Sequence, residues 1–342
     1  MVTAIISLYN GTKFLESCLQ DLINQTLYKQ NLLEIVIVDS ASTDNPENII
    51  LKYQKQYKNI HFIRTPERES LYKSWNRAIK YSTADFITNA NIDDIHRNDA
   101  LEILMKTLIN NPQIDLVYHN HYLSTIFNKP FEYHAEQKII TYPKFDNRTI
   151  YLHYPFCHQN MWRKSLHDKI GFFDENYYIA GDLDFAFKFS IKGLKALLIK
   201  EILGVQISRD DQLVVNQKFN EEFTNIYNNY FKPEYIFELY SNLGYSVNSD
   251  DDKFNCFRDL FYRFLKYKLP GTESFVCNIY AAGKLLDTIY KYSKNEIFVK
   301  DYIENALNYV FVSNIENFIK FLDNLDISLK EIIKKYLYEK EI

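Results

Sequence analysis

Glycine is scarce in this 342-residue chain, with 8 in all, and the segment after the first apolar run, Ser7 to Thr12, holds only Gly11. That scarcity excludes glycine-built phosphate loops: there is neither the G-x-G-x-x-G of a dinucleotide oxidoreductase nor the Gly-rich loop a nucleotidyltransferase needs after its first strand. The 4 cysteines, Cys18, Cys157, Cys256 and Cys277, are too dispersed for a zinc site and too few for a disulfide scaffold, so a reducing cytoplasm is the expected compartment. No run of Lys or Arg stands out and the formal net charge is -4, so nucleic acid is not expected as a partner. No apolar stretch approaches the roughly 20 residues that span a bilayer, which leaves only peripheral contact with a membrane.

What is present fits a folded two-unit protein. Hydrophobic residues make up 46% and charged residues 25%, and the length exceeds one ordinary core without reaching three. Met1 to Leu8 is apolar but short and lacks a basic start, so it is expected to be a first strand and not a signal peptide. Val2 to Ser7, Glu34 to Val38, Ile60 to Arg64 and Asp85 to Thr88 are predicted strands, because each is a short β-branched or apolar run. Between them Phe14, Leu15, Cys18, Leu19, Leu22 and Ile23 recur at helical spacing, as do Ile49, Ile50, Tyr53 and Tyr57. Asp44-Asn45-Pro46 supplies a cap and a first-turn proline. Alternating strands and helices predict an α/β fold with a mostly parallel sheet, whose ligand lies beyond the carboxyl ends of the strands. The stretch from Asp115 to about Gly204 mixes short strands, a polar loop over Asn128 to Asn147 and a helix from about Leu183. Past about Val214 amphipathic helical segments follow, at Glu234 to Leu243, Phe254 to Tyr267, Ser274 to Tyr292 and Ile315 to Leu325. Residues 1–214 are therefore the expected catalytic domain and 215–342 a mainly α-helical region.

Three groups of residues carry chemistry. Ser7-Leu8-Tyr9-Asn10 follows the first strand, and the second ends in Asp39-Ser40-Ala41-Ser42-Thr43-Asp44. A carboxylate there can accept a uracil imide N–H and Tyr9 can stack on a base, although turn and cap chemistry would use the same residues. Next, Asn91-Ile92-Asp93-Asp94 follows an apolar strand; adjacent acids repel unless a cation or donors offset them. Mg²⁺ or Mn²⁺ would, using one or two carboxylates together with substrate phosphates; the alternative is that Asp93 or Asp94 caps the next helix. Last come His158-Gln159 and Ala180-Gly181-Asp182-Leu183-Asp184.

In order and spacing, Ile5 to Asn10, Val36 to Asp44, Ser70 to Ile79 and Asn91 to Asp94 resemble the family 2 inverting glycosyltransferases over roughly the first 205 residues. The resemblance implies a GT-A fold and a nucleotide-sugar donor, with UDP as the expected nucleotide. It implies that Asp39 holds the base, that Ser7, Leu8, Tyr9, Asn10 and Ser42 line the donor pocket with Asn91, Ile92 and Asp94, and that Asn76 supports the donor loop. Asp93 would ligate Mn²⁺ or Mg²⁺. Asp182 would be the catalytic base, with His158, Gln159 and Asp184 on the acceptor side, where Asp184 equally suits a capping role. Ser40 and Ala41 stand where the family often has Asp and Gly, Asn91 replaces the first acid of the metal motif, and Gly181 replaces a frequent Glu. The implied acceptor is a glycan or lipid-linked saccharide of the bacterial cell surface, at the inner face of the cytoplasmic membrane. Homo-oligomerisation stays open, and the rival reading is a non-catalytic nucleotide- or sugar-binding module in a polysaccharide-assembly complex.

Overall fold

The computed structural model describes residues 1–209, 217–266, 275–293 and 327–339. These residues fall into two compact units, one of Met1–Phe145, Tyr154–Phe189 and Leu194–Asn225, the other of Asp146–His153, Ser190–Gly193 and Ile226–Ile342. The expected boundary at 214/215 lies outside the described residues, as does the predicted segment Ile315 to Leu325.

The first unit is built on one mixed sheet. Its strands are β1 (Val2–Leu8), β2 (Leu33–Asp39), β3 (Ile60–Arg64), β4 (Phe86–Asn89), β5 (Ile95–His96), β6 (Leu116–Ser124), β7 (Lys138–Ile140), β8 (Met161–Arg163) and β9 (Ala196–Ile207). They are ordered β3-β2-β1-β4-β8-β6-β9-β5, with β7 added on β6. The first four are parallel, and the antiparallel β8 joins them to the parallel pair β6 and β9. All seven residues of β2 are buried, as a strand covered on both faces by crossover helices requires; its near-continuous apolar run is the sequence form of that burial. Helix α1 (Thr12–Asn24) buries Phe14, Leu15, Cys18, Leu19, Leu22 and Ile23, one stripe worth about 1.5–3 kcal/mol for each large side chain. Helices α2 (Thr26–Lys29), α3 (Glu47–Gln56), α4 (Leu71–Tyr81) and α5 (Ala100–Asn110) complete the first layers.

Two local expectations change. Asp44 was expected to cap the helix that follows it, but α3 has no side-chain cap, and the Asp44 carboxylate accepts instead from the Thr12 N–H at 2.8 Å, at the start of α1. The polar stretch Asn128 to Asn147 is not wholly irregular, since it contains the 3₁₀ turn Phe131–His134 and β7. Helix α6 (Leu166–Ile170) precedes α7 (Gly181–Ile191). In the second unit, α8 (Gln217–Tyr230, shared with the first), α9 (Pro233–Asn242), α10 (Asp250–Lys266) and α11 (Phe275–Ser293) are followed by a last described helix, Ile327–Glu339. No helix among the described residues is long and apolar enough to cross a membrane.

Candidate active site

The carboxyl ends of β1, β2 and β3 are level, Leu8 pairing with Asp39 and Asp39 with Arg64. That register stacks the first two motifs side by side. Asn10 bridges them: its N–H donates to Ser42 Oγ at 2.9 Å and its Oδ1 accepts from the Thr43 N–H at 2.8 Å. Asn10 adopts φ 49° and Ala41 φ 53°, left-handed conformations that Asn tolerates and Ala resists. Asp39 is fully buried. Its Oδ1 accepts from the Ser42 N–H at 3.0 Å and its Oδ2 from Arg64 Nη1 at 3.0 Å, so a nucleobase must share or displace the Arg64 guanidinium to reach it. Tyr9 is 41% exposed, and the Arg68 guanidinium lies 4.0 Å from its ring centroid. The face expected to receive a base carries a cation–π partner. Ser7 is partly exposed and Leu8 buried.

Asn91 to Asp94 follow β4, and β5 comes next, so neither Asp93 nor Asp94 caps a helix. Asp94 is buried and serves the fold: Oδ2 accepts from Asn91 Nδ2 at 2.9 Å and Oδ1 from the Ile207 N–H at 3.2 Å. Burial, then the charge of Asp93, raises its pKa to about 7. Ile92 packs on the core and abuts Gly11. Asp93 pairs with Arg209 at 3.1 Å, whose guanidinium also lies 4.4 Å from the Phe14 ring centroid. Among the described residues there is no group of three or more His, Cys, Asp or Glu able to hold a metal. The donor set at Asp93 is a single carboxylate already paired with Arg209; a cation there would draw its other ligands from phosphate and water oxygens. The set does not fit a closed protein cage.

Asp182 lies in the first turn of α7, where the helix dipole favours a carboxylate. Its Oδ1 accepts from the Leu183 N–H at 2.9 Å and from the Tyr72 hydroxyl at 3.2 Å. Burial nonetheless wins and raises its pKa, with His158 the largest opposing influence. Asp182, His158 and Asn89 line one cavity of about 20 Å³ together with Trp75, Trp162 and Phe173. Asn89 is the last residue of β4, so this cavity joins the strand of the metal motif to the helix of the expected base. It has room for about one water.

The remaining candidates are engaged in bracing. Asn76 is buried and spends its amide on the acceptor-side loop: Nδ2 donates to the Phe173 carbonyl at 2.8 Å and Glu175 Oε1 at 2.9 Å, and Oδ1 accepts from the Phe173 N–H. Gln159 is buried, with Nε2 donating to the Ile95 carbonyl at 3.0 Å, and its amide fills the space a side chain at Gly204 would need. Asp184 is buried and pairs with Lys188 at 2.7 Å, one turn along α7. Sequence reasoning missed Arg64, Arg68, Tyr72, Asn89, Arg209 and Glu222. Arg64 was within reach, since it ends a predicted strand beside Asp39; Arg209 and Glu222 meet their partners only through the fold.

Residues 3–171 match the family model described as "Glycosyl transferase family 2". Among curated proteins, the "Poly(ribitol-phosphate) beta-glucosyltransferase" of Bacillus spizizenii is 34% identical over 101 residues, 29% of this chain and 16% of that protein. "Glycosyltransferase GlyG" of Streptococcus pneumoniae is 26% identical over 122 residues, 36% of this chain and 39% of that one. The matched stretch thus spans less than half the length of either relative. The crystal structure of S. aureus TarS in complex with UDP superposes with a TM-score of 0.55 over 100% of this chain and 92% of that one, at 16% identity. A TarS structure with UDP-GlcNAc gives 0.53. These likenesses establish the fold, an α/β architecture of the GT-A kind with C-terminal helices. Through residues 3–171 the chain belongs to glycosyl transferase family 2.

Proposed function

We propose that the chain is a glycosyltransferase that moves a sugar from a UDP-sugar to a hydroxyl of a glycan or lipid-linked saccharide, with inversion at the anomeric carbon. The observation that carries this reading is the shared cavity: the end of β4, which leads into Asp93, and Asp182 on α7 line the same opening. The UDP complex of TarS supports the choice of nucleotide.

Asp182 would take the proton of the acceptor hydroxyl as that oxygen attacks the sugar. Its raised pKa suits a group that must gain a proton, and a positioned carboxylate base contributes about 10² to 10⁴-fold. Trp75, Trp162 and Phe173 line the cavity beside Asp182 with buried apolar surface, which limits the water that can reach the carboxyl. Arg209 and Arg68 supply positive charge beside Asp93 and Tyr9, where a diphosphate and base would lie. Asp93 would hold Mn²⁺ or Mg²⁺, which offsets charge on the departing diphosphate. No protein nucleophile is required.

Calorimetric titration with UDP tests the nucleotide site: binding should be several-fold tighter with Mn²⁺ than without, and Asp93→Ala should remove that difference. Equal affinity with and without metal in the wild type would overturn the metal assignment, and tighter binding of GDP would overturn UDP. Asp182→Asn should bind UDP normally and lose about two to four orders of magnitude in transfer. A wild-type chain that binds UDP-sugars yet neither transfers nor hydrolyses them would favour the non-catalytic binding module.

A further inference from the structure

We propose that Tyr72 is a positioning residue for Asp182, a hydroxyl whose single proton answers the charge of that carboxyl; this rests on the reading of Asp182 as the base. Tyr72 stands near the start of α4 and is 1% exposed. Its hydroxyl has two acceptors, Asp182 Oδ1 at 3.2 Å and the Ile179 carbonyl. A phenol has one proton to give. While Asp182 is ionised the carboxylate is the stronger acceptor, and the hydrogen bond to Oδ1 fixes the orientation of the carboxyl. Once Asp182 has taken a proton, the phenol proton turns to Ile179. Neither charge state leaves the buried hydroxyl without a partner. Burial, and then the Asp182 charge, push the Tyr72 pKa well above its ordinary value, so the phenol stays a donor throughout.

Gly181 is the second part of the device. A Cβ at 181 would lie 2.7 Å from Tyr72 Cδ2 and Cε2, closer than side-chain contacts allow, so the seat of the ring exists only because position 181 has no side chain. The ring is held there by Trp75, at 5.5 Å between centroids, and Phe173, at 5.8 Å.

The other titratable groups that act on the Asp182 carboxyl are His158 and Tyr154, and neither changes in the test. The full chain is labelled with ¹³C at the aspartate carboxyls and titrated by NMR, the Asp182 signal being identified by its absence in Asp182→Asn. Tyr72→Phe keeps the ring and its stacking but removes the donor. The Asp182 pKa should rise by about one unit, tenfold in the protonation constant. Gly181→Ala, which keeps the hydroxyl but pushes the ring away, should move it in the same direction by less. An Asp182 titration in Tyr72→Phe that coincides with wild type overturns the proposal, as does a shift in Gly181→Ala alone. The titration needs no substrate, so its outcome is separate from the transfer assay of Asp182→Asn that tests the base itself.

Discussion

At the scale of single residues, the departures from the family pattern have physical readings. Ala41 holds φ 53°, where an L residue with a Cβ costs about 1–2 kcal/mol. The loop keeps the backbone that glycine would adopt freely because Asn10 and Arg64 both hold Ser42, the next residue, through its hydroxyl and its carbonyl. Ala41→Gly should therefore stabilise the folded chain by about 0.5–1 kcal/mol, relief of strain outweighing the added chain entropy; urea melts at neutral pH read the change, and a lower midpoint would refute the strain. Asp182 sets a pH expectation. Its pKa is raised chiefly by burial, and if it is the base, as proposed, it acts only when ionised, so transfer should fall as pH drops through a value above the unperturbed aspartate pKa of about 3.9. A kcat profile whose acid limb lies at or below that value would place the proton elsewhere. The position of Asp39 was legible because it ends an apolar strand, and that of Asp182 because a helical pattern begins beside it; their roles, like that of Asp93 in the turn after β4, were read from the resemblance. Arg209 and Tyr72 were not legible, since each meets its acid across more than a hundred residues and no local pattern records that meeting.

Among the elements, the strands β1 to β4 could be read to within a residue or two; β1, β2 and β4 are buried on both faces and so write themselves as apolar runs, while the partly exposed β3 still shows a short apolar stretch. The half of the sheet beyond β4 was less legible. β8 is three residues long and β5 two, too short to carry a period. The helix of the base is different again, for what fixes its start lies far along the chain. The Glu222 carboxylate, on α8, accepts from the backbone N–H groups of Tyr178, Ile179 and Ala180 at 2.7, 2.8 and 3.0 Å. One acid thus orders the segment that leads into the helix of Asp182. Glu222→Ala would leave three amide donors without that partner, at a cost of about 1–3 kcal/mol. The expected result is slower transfer with UDP affinity little changed, together with faster hydrogen exchange at residues 178–180. Unchanged exchange there would show that the carboxylate is dispensable.

For the whole molecule, all the candidate site residues belong to the first unit, and the second has a polar centre of its own. Arg148 grips Asp146 with two bonds of 2.8 Å and reaches Asp259 at 3.2 Å; Arg263 contacts Asp259 at 2.8 Å and Asp146 at 3.2 Å; the Tyr240 hydroxyl donates to Asp259 at 2.6 Å. This network binds the short segment Asp146–His153 to the helices that follow it much later in sequence. Burial works against both acids, yet the arginines and hydrogen bonds hold Asp146 and Asp259 below the ordinary aspartate pKa. An acid with a depressed folded pKa adds stability that is present above its unfolded value, about 3.9, and is lost as pH falls through the folded one. Arg148→Ala should therefore cost about 2 kcal/mol at pH 7, between the worth of an exposed pair and that of a buried one. The difference from wild type should shrink between pH 7 and pH 3, because the stability held by the two depressed acids begins to be lost below about 3.9. Urea melts at the two pH values measure it, with UDP titration of the same variant as the control. A cost that does not vary with pH would mean that Arg148 acts through the packing of its stem and not its charge, and a loss of UDP affinity would tie this network to the donor site after all.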